Sequence, residues 1–559
     1  MENSLPPFAL TTPLYYVNDI PHIGSAYTTI AADALARFHR LQGHPTLLIT
    51  GTDEHGQKIQ RTAEQRQKSP QAHCDEVVEG FQRLWDQLLI QYDRFSRTTD
   101  RRHETIVRDF FQRVEAKGDI YLGQQQGWYC VACEEFKEER ELLGPATGET
   151  SAEPQAKASA SAPKRCPIHS NQAVEWRDER NYFFRLSKYQ SALEELYATQ
   201  PDFIQPASRR NEVLNFVKQG LQDFSISRVN LDWGFPVPSD PEHTLYVWFD
   251  ALLGYVTALL DPDLPPEEIS LDRALSQWWP INLHLIGKDI LRFHAVYWPA
   301  MLMSAELPLP DRVFGHGFLT KDGQKMGKSL GNTLDPVALV NTYGPDAVRY
   351  YFLKEIEFGR DGDFQEIRFV QSLNADLAND LGNLLNRTLS MAKRYCQQQV
   401  PALSGTDFPD DHLLKQLGQS LESQVPQAYG TLAFSNACES VLNLVRSGNK
   451  YLDQEAPWSR YKAGDQAAVE QILYAVLESV RLAAYWLAPI IPTLSTRIYQ
   501  QLGFSVDFND FTNLQATVGD KDHHCWGVLP GGQTLETPNP IFRTLELPNS
   551  EATDANGNG

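Results

Sequence analysis

Apolar and polar positions alternate with different periods along this chain, and the changes of period mark its parts. Phe8-Ala9-Leu10-Thr11-Thr12 is a short, mostly apolar run that predicts a buried strand, and residues 12–24 form a Pro-bearing loop. Residues 25–41 carry Ile30, Ala34, Leu35 and Phe38 at helical spacing, with Gly43 just past the end, which predicts a helix. Thr46-Leu47-Leu48-Ile49-Thr50 predicts a second strand, running into Gly51-Thr52-Asp53-Glu54-His55-Gly56. Strand, loop, helix, strand is the opening of a Rossmann-like parallel sheet, where ligands bind at the carboxyl ends of the strands. From about Gly118 the pattern changes to short strands and turns. Residues 144–164, GPATGETSAEPQAKASASAPK, are rich in Ala, Ser, Pro and Gly and predict a flexible excursion. The sheet pattern resumes near Tyr246-Val247-Trp248-Phe249 and at His284-Leu285-Ile286-Gly287. Beyond about Gln371 the chain reads almost wholly helical to about Leu502, and residues 551–559 read as a disordered tail.

Composition narrows the class. The chain has 559 residues, enough for several cores, and 42% are hydrophobic, as in ordinary water-soluble proteins. No apolar run approaches the ~20 residues that span a bilayer, and the start lacks the basic stretch of a secretory signal. These features predict a cytoplasmic protein with no membrane contact. The formal net charge of −21 excludes steering of nucleic acid by overall charge, so any such recognition must be local. The seven cysteines are too sparse for a disulfide scaffold, and three of them stand in metal-ligand spacing. Cys130-x-x-Cys133 and Cys166-x-x-His169 supply four soft or borderline ligands suited to one structural, tetrahedral Zn²⁺. Unrelated buried cysteines are the plainer reading of the same residues.

Two distant motifs carry the chemistry. Pro21-His22-Ile23-Gly24-Ser25 puts an imidazole and a glycine just before a helix N-terminus, where backbone N–H groups and the helix dipole attract phosphate. Lys325-Met326-Gly327-Lys328-Ser329-Leu330-Gly331-Asn332 puts two cations three residues apart in a loop with Gly323, Gly327 and Gly331. Together they form a two-sided clamp for a triphosphate. In these motifs the chain resembles the class I aminoacyl-tRNA synthetases, and the methionyl-tRNA synthetase family in particular. It departs at one position of each signature: Ser25 stands where the family has a second His, and Gly327 where it has a Ser.

The resemblance implies a site residue by residue. His22, Lys325 and Lys328 would act on the phosphates in catalysis, with Mg²⁺ accompanying ATP. His22, Gly24, Ser25, Gly287, Asp289, Lys325 and Lys328 would bind ATP, Asp289 facing the ribose. Leu14, Tyr16, Asp53, Trp248, Ala251, Tyr255, Phe293 and His294 would hold methionine. A thioether packs well against aromatic edges, and Asp53 would pair with the substrate ammonium. For Trp248 and Phe293, ordinary core packing is the competing reading. Asn383, Arg387, Pro457 and Trp458 match positions that read a CAU anticodon, which needs stacking platforms and edge hydrogen bonds. Residues 371–515 hold 10 Lys and Arg against 14 Asp and Glu, so recognition there must rest on a few placed residues.

The expected fold is α/β: a Rossmann-like parallel-sheet catalytic domain, split into residues 1–117 and 236–330, with a zinc-bearing insert at 118–235. A linking segment at 331–370, including Asp346-Ala347-Val348-Arg349-Tyr350-Tyr351, should support the acceptor stem. An α-helical bundle anticodon domain at 371–515 and a partly disordered extension at 516–559 follow. The resemblance implies methionine–tRNA ligation, with tRNA(Met), initiator and elongator, ATP and L-methionine as partners. No dimerising domain is recognised after residue 515, which points to a monomer. Two other readings stay open: a sister class I synthetase for another apolar amino acid, and a non-catalytic descendant that binds tRNA or a partner.

Overall fold

The computed structural model describes residues 5–18, 20–131, 135–137, 139, 142–143, 164–167, 173–229, 231–326, 331–510 and 522–546. Its centre is a six-stranded parallel sheet, in the order Arg94–Arg97, Thr46–Asp53, Phe8–Tyr16, Leu283–Gly287, Val313–His316, Ile204–Gln205. Strand succession reverses between Phe8–Tyr16 and Leu283–Gly287, where Leu10 pairs with Leu283 and Thr11 with His284. Such a reversal opens a crevice at the carboxyl ends of its two central strands. The helix Ile23–Leu41 connects the first two strands and buries nearly every residue, from Ala26 through Phe38.

Three local expectations change. The first strand continues through Pro13 to Tyr16, with a register irregularity between Thr11 and Leu14. Proline has no N–H for the ladder, so the pairing slips there and resumes beyond it. Tyr246 to Phe249, expected in the sheet, follows a strand that ends at Leu245, and Val247–Ala251 is a turn of helix. A short apolar run does not separate a strand from a buried helical turn. The range 118–235 is not one unit of short strands. Ile120–Cys130 and Glu175–Phe184 form a long antiparallel pair, from Ile120↔Phe184 to Tyr129↔Glu175. Two helices, Gln190–Thr199 and Ala207–Lys218, follow, and between them Ile204–Gln205 joins the catalytic sheet beside Val313 and Phe314. Residues 144–163 of the expected excursion lie outside the described residues, as do 547–559.

The C-terminal half is a bundle of Asn383–Tyr395, Leu413–Gly430, Phe434–Glu455, Gln466–Leu487 and Pro492–Gln501. Gln466–Leu487 is buried on every side from Ile472 to Leu487, as a central helix must be. Residues 522–546, expected as part of a loose extension, pack onto this bundle with Leu529, Leu535 and Ile541 buried. One apolar cluster runs continuously from Leu10 and Ile30 through Val348 and Phe352 to Val441 and Leu482. The two halves therefore share a core. Among the described residues no helix is long and apolar enough to cross a membrane.

The segment Asp346 to Tyr351 is buried, so it braces the molecule from within. Asp346 Oδ2 accepts from the Leu494 N–H at 2.6 Å, while its Oδ1 has no hydrogen-bond partner among the described residues. Burial pushes the Asp346 pKa up to about 6, against the pull of the Leu494 N–H and Arg349. A carboxyl raised on folding contributes most below its unfolded value and loses that contribution as pH rises through its folded value. Asp346→Asn keeps an acceptor without the charge. It is expected to raise stability at pH 8 by about 1–3 kcal/mol, and the gain should vanish near pH 4. Unfolding midpoints at the two pH values check this, and an equal change at both would refute it.

Candidate active site

The crevice at the strand reversal is a cleft of ≈ 420 Å³. Leu14, Tyr16, His22, Gly24, Ser25, Asp53, Trp248, Gly287, Asp289 and Phe293 all line it. These residues come from ends of strands and the loops after them, which is why positions far apart in sequence converge.

At one end lies the N-terminus of Ile23–Leu41. His22 caps it: Nδ1 accepts from the Gly24 N–H at 3.0 Å and the Ser25 N–H at 3.4 Å. With Nδ1 accepting, the ring proton belongs on Nε2, which leaves a donor for a ligand. Ser25 completes the cap. Its hydroxyl donates to the His22 carbonyl at 2.9 Å and accepts from the His22 N–H at 3.2 Å. The serine that departs from the family signature thus holds the loop that presents His22. A Cβ on Gly24 would come within 2.9 Å of His22 Cε1, so a side chain there would displace the ring. Withdrawal from water lowers the His22 pKa, with the Asp289 carboxylate pulling it back up. For Asp289, withdrawal from water raises the pKa against the opposing pull of its own and the Ile290 backbone N–H, His22 and Lys288. Its Oδ1 would meet a Cβ on Gly287 at 2.4 Å, so a side chain there would shift the Asp289 carboxylate.

At the other end Trp248 and Phe293 stack at 3.8 Å with 7° between their planes. Phe293–Tyr297 is a π-helical turn, a local widening that sets the directions of Phe293 and His294. Tyr255 Oη lies 2.8 Å from His294 Nε2, and His294 Nδ1 lies 3.1 Å from the Ile290 carbonyl. The ring proton therefore belongs on Nδ1, and Tyr255 donates to Nε2. Burial pushes His294 down to about 4 and Tyr255 upward, so this pair is neutral. Ala251, Tyr255 and His294 are all buried, under the apolar layer that holds Trp248. None of the three lines the cleft.

Several contributors escaped the sequence reading. Asp250 is 1% exposed and accepts from two histidines, His55 Nδ1 at 2.5 Å and His103 Nε2 at 2.7 Å. Burial would raise its pKa, but the histidines outweigh that and bring it to about 2. The group ties the loop after Asp53 to the turn carrying Trp248. Thr28 Oγ1 lies 2.6 Å from His316 Nε2, and both residues line the cleft. Glu54 is fully buried and held by Arg97 through two bonds of 2.7 and 2.8 Å. The one available signal was a polar residue at the carboxyl end of a strand run, as His316 is.

Lys325 is exposed on the hairpin formed by Leu319–Lys321 and Gln324–Lys325, whose turn has Gly323 at φ 74°. Lys328 lies outside the described residues, as do Gly327, Cys133 and His169. The other two expected metal ligands, Cys130 and Cys166, are fully buried and share one small cluster with Val174. A shared cluster from positions on opposite sides of the excursion fits a common metal. In the bundle, Asn383 is exposed and Arg387 bridges to Asp453 at 2.6 Å, four residues before Pro457. Ala456 takes the left-handed conformation at φ 47°, ends Phe434–Glu455 and starts the short helix of Pro457 and half-buried Trp458.

Residues 8–389 match the family model for class I tRNA synthetases (M), and residues 400–555 match the anticodon binding domain of methionyl tRNA ligase. The second match runs well past the boundary at 515 that the sequence pattern suggested. Methionine–tRNA ligase of Synechocystis sp. is 65% identical over 99% of this chain and 100% of its own length. That of Thermosynechococcus vestitus is 67% identical over 97% and 98%. The structure of Mycobacterium tuberculosis methionyl-tRNA synthetase in complex with methionyl-adenylate superposes with a TM-score of 0.85 at 39% identity, over 96% of this chain and 100% of that one. With a cleft at the strand reversal, a capped phosphate-type helix end and these likenesses over nearly its full length, the chain belongs to the class I tRNA synthetases of the methionine–tRNA ligase family.

Proposed function

We infer that this chain is a methionine–tRNA ligase. A methionine carboxylate oxygen attacks the α-phosphorus of ATP, the bond to the β-phosphate oxygen breaks, and pyrophosphate leaves. The methionyl group then passes from the adenylate to the 3′ end of tRNA with a CAU anticodon, releasing AMP. The observation that carries this reading is one cleft with two chemically distinct ends: a helix N-terminus capped by His22, and an aromatic floor of Trp248 and Phe293.

Each residue's part follows from its chemistry. His22 donates through Nε2 to oxygens near the α-phosphate, and helix N–H groups add to that field. Lys325 and Lys328 neutralise the leaving pyrophosphate, and Mg²⁺ enters with ATP. Asp53 holds the ammonium, and Asp289 the ribose. Leu14, Tyr16, Trp248 and Phe293 enclose the thioether, with Ala251, Tyr255 and His294 behind them. The Ile120–Cys130 strand and the segment around Cys166 carry the structural zinc knuckle, completed by Cys133 and His169. Activation belongs to 1–117 and 236–330, and anticodon reading to the bundle. The chain acts as a monomer in the cytoplasm on initiator and elongator tRNA(Met).

The bundle gives the separating test. Trp458 is half-buried, in the short helix that begins just after the helix carrying Asp453, the partner of Arg387, and a partly exposed indole suits stacking on an unpaired base. Trp458→Ala is expected to lower kcat/KM for charging tRNA with a CAU anticodon by about 1–3 kcal/mol, roughly 5- to 150-fold. Methionine-dependent ATP–pyrophosphate exchange should stay near wild type. Equal loss in both assays, with a lower Tm, would place Trp458 in the bundle core instead.

A further inference from the structure

Helix Gln466–Leu487 contains a fully buried pair, Glu478 and Arg481, joined by bonds of 2.7 and 2.8 Å. Both side chains grip the same stretch of the C-terminal segment. Arg481 donates to the His523 and Cys525 carbonyls, each at 2.6 Å. Glu478 accepts from the Gly527, Val528 and Leu529 N–H groups at 2.6, 3.1 and 3.2 Å. With its backbone fixed on both sides, residue pair 524–525 has little freedom. Trp526 then presses on the neighbouring helix Leu413–Gly430, where a Cβ at Gly418 would meet its ring at 2.9 Å. Glu422 is one turn further along the same helix face. Five backbone bonds and one aromatic contact therefore bring Glu422, His524 and Cys525 together. A carboxylate oxygen, an imidazole nitrogen and Sγ all lie within 4.8 Å of one another.

We propose that Glu422, His524 and Cys525 form a zinc site, separate from the Cys130 knuckle, with its fourth position open to water. The donor set fits a borderline-soft divalent ion and excludes Mg²⁺ and Ca²⁺, which take oxygen ligands alone. Tetrahedral bonds of about 2.0–2.3 Å place ligand atoms about 3.3–3.8 Å apart. The cluster needs to contract by at most about 1.0–1.5 Å, and the exposed Glu422 side chain supplies that movement. Zinc here fastens the 522–546 segment to Leu413–Gly430. Three protein ligands and an open position make this the more readily exchanged of the two sites.

The test uses the full chain, reduced and stripped with a chelator, and titrated with Co²⁺ and Zn²⁺. Thiolate-to-cobalt absorption and metal content per chain are read in the wild type, Cys130→Ser, Cys525→Ser and His524→Ala. Cys130→Ser should retain a thiolate–cobalt component. Adding Cys525→Ser should remove one cobalt equivalent with its thiolate absorption, leaving only what Cys133, Cys166 and His169 still bind, and His524→Ala should weaken that equivalent at least tenfold. Pyrophosphate exchange should stay unchanged in the last two single variants. Equal metal content and spectra in the wild type, Cys525→Ser and His524→Ala would overturn the proposal. Should Cys525→Ser misfold, Glu422→Gln, at an exposed position, decides the same question.

Discussion

Lys328→Ala is expected to slow methionyl-adenylate formation by about 100- to 1,000-fold while leaving methionine affinity within about twofold. The charge that appears in the transition state sits on the departing pyrophosphate, not on methionine. A fixed cation aimed at such charge is worth about 3–4 kcal/mol, and each 1.36 kcal/mol is a factor of ten. The protein surface around the cleft makes the cation more valuable. The formal net charge of the chain is −21, and Asp53 and Asp289 both line the cleft, so these carboxylates work against the phosphate-attracting helix N-terminus. His22 does not substitute for the missing charge, because its Nδ1 accepts from the Gly24 and Ser25 N–H groups and the ring offers only an Nε2–H donor. Lys288, a further cation near the cleft, is committed to Asp361 through contacts of 2.6 and 2.7 Å. Lys58 also lines the cleft, beside Tyr16, and the loop lysines add to its charge. Single-turnover quench measurements of adenylate, alongside methionine binding by fluorescence, separate the two quantities. An unchanged adenylation rate would remove Lys328 from the clamp.

The residues that line the cleft were more legible in the sequence than the finer connections of the fold, for a physical reason. His22, Gly24 and Asp53 lie where a strand gives way to a helix or loop, and such ends are marked by local pattern. The strand Ile204–Gln205 is only two residues long and lies between two helices, so no periodicity reveals that it joins the catalytic sheet. The packing of 522–546 depends on backbone bonds to Glu478 and Arg481, and a buried ion pair inside an apolar helix does not announce its partners. The π-turn at Phe293–Tyr297 inserts an extra residue per turn, which a 3.6-residue pattern cannot express. Nothing local in the sequence marks Asp250, because its partners His55 and His103 reach it from distant elements. Ser25 is the reverse case. The sequence showed it as a missing imidazole, whereas its hydroxyl closes a reciprocal cap with the His22 backbone.

Asp33→Ala is expected to cost about 3–5 kcal/mol of stability, the loss typical when one member of a buried ion pair is removed. Asp33, Arg37 and Arg349 are at most 1% exposed. Asp33 Oδ2 lies 2.7 Å from Arg37 Nε and 2.6 Å from Arg349 Nη2, and Oδ1 accepts from the Gln91 N–H at 2.8 Å. One carboxylate thus balances two guanidinium groups. Arg349 also donates to the Pro489 and Ile490 carbonyls, at 2.8 and 2.9 Å, and Arg37 to the Phe508 carbonyl at 3.1 Å. The network therefore joins the helix whose N-terminus carries His22 to the linking segment and the bundle. Without Asp33, two buried cations face each other with carbonyl oxygens and the nearby Asp346 carboxyl as compensation. Adding Arg349→Met should restore a large part of the loss, since it removes one uncompensated charge and keeps volume. The pH dependence has a fixed sign. Burial alone would raise the Asp33 pKa, but Arg37 and Arg349 bring it below the ordinary carboxylate range. A carboxyl depressed on folding contributes fully above its unfolded value and loses that contribution as pH falls through its folded one. The difference between wild type and Asp33→Ala should therefore be constant from about pH 6 to 8 and narrow only below about pH 4. Denaturant and thermal midpoints across that range measure it. A difference under about 1 kcal/mol at pH 7, or one that narrows above pH 6, would show that the arginines are balanced elsewhere.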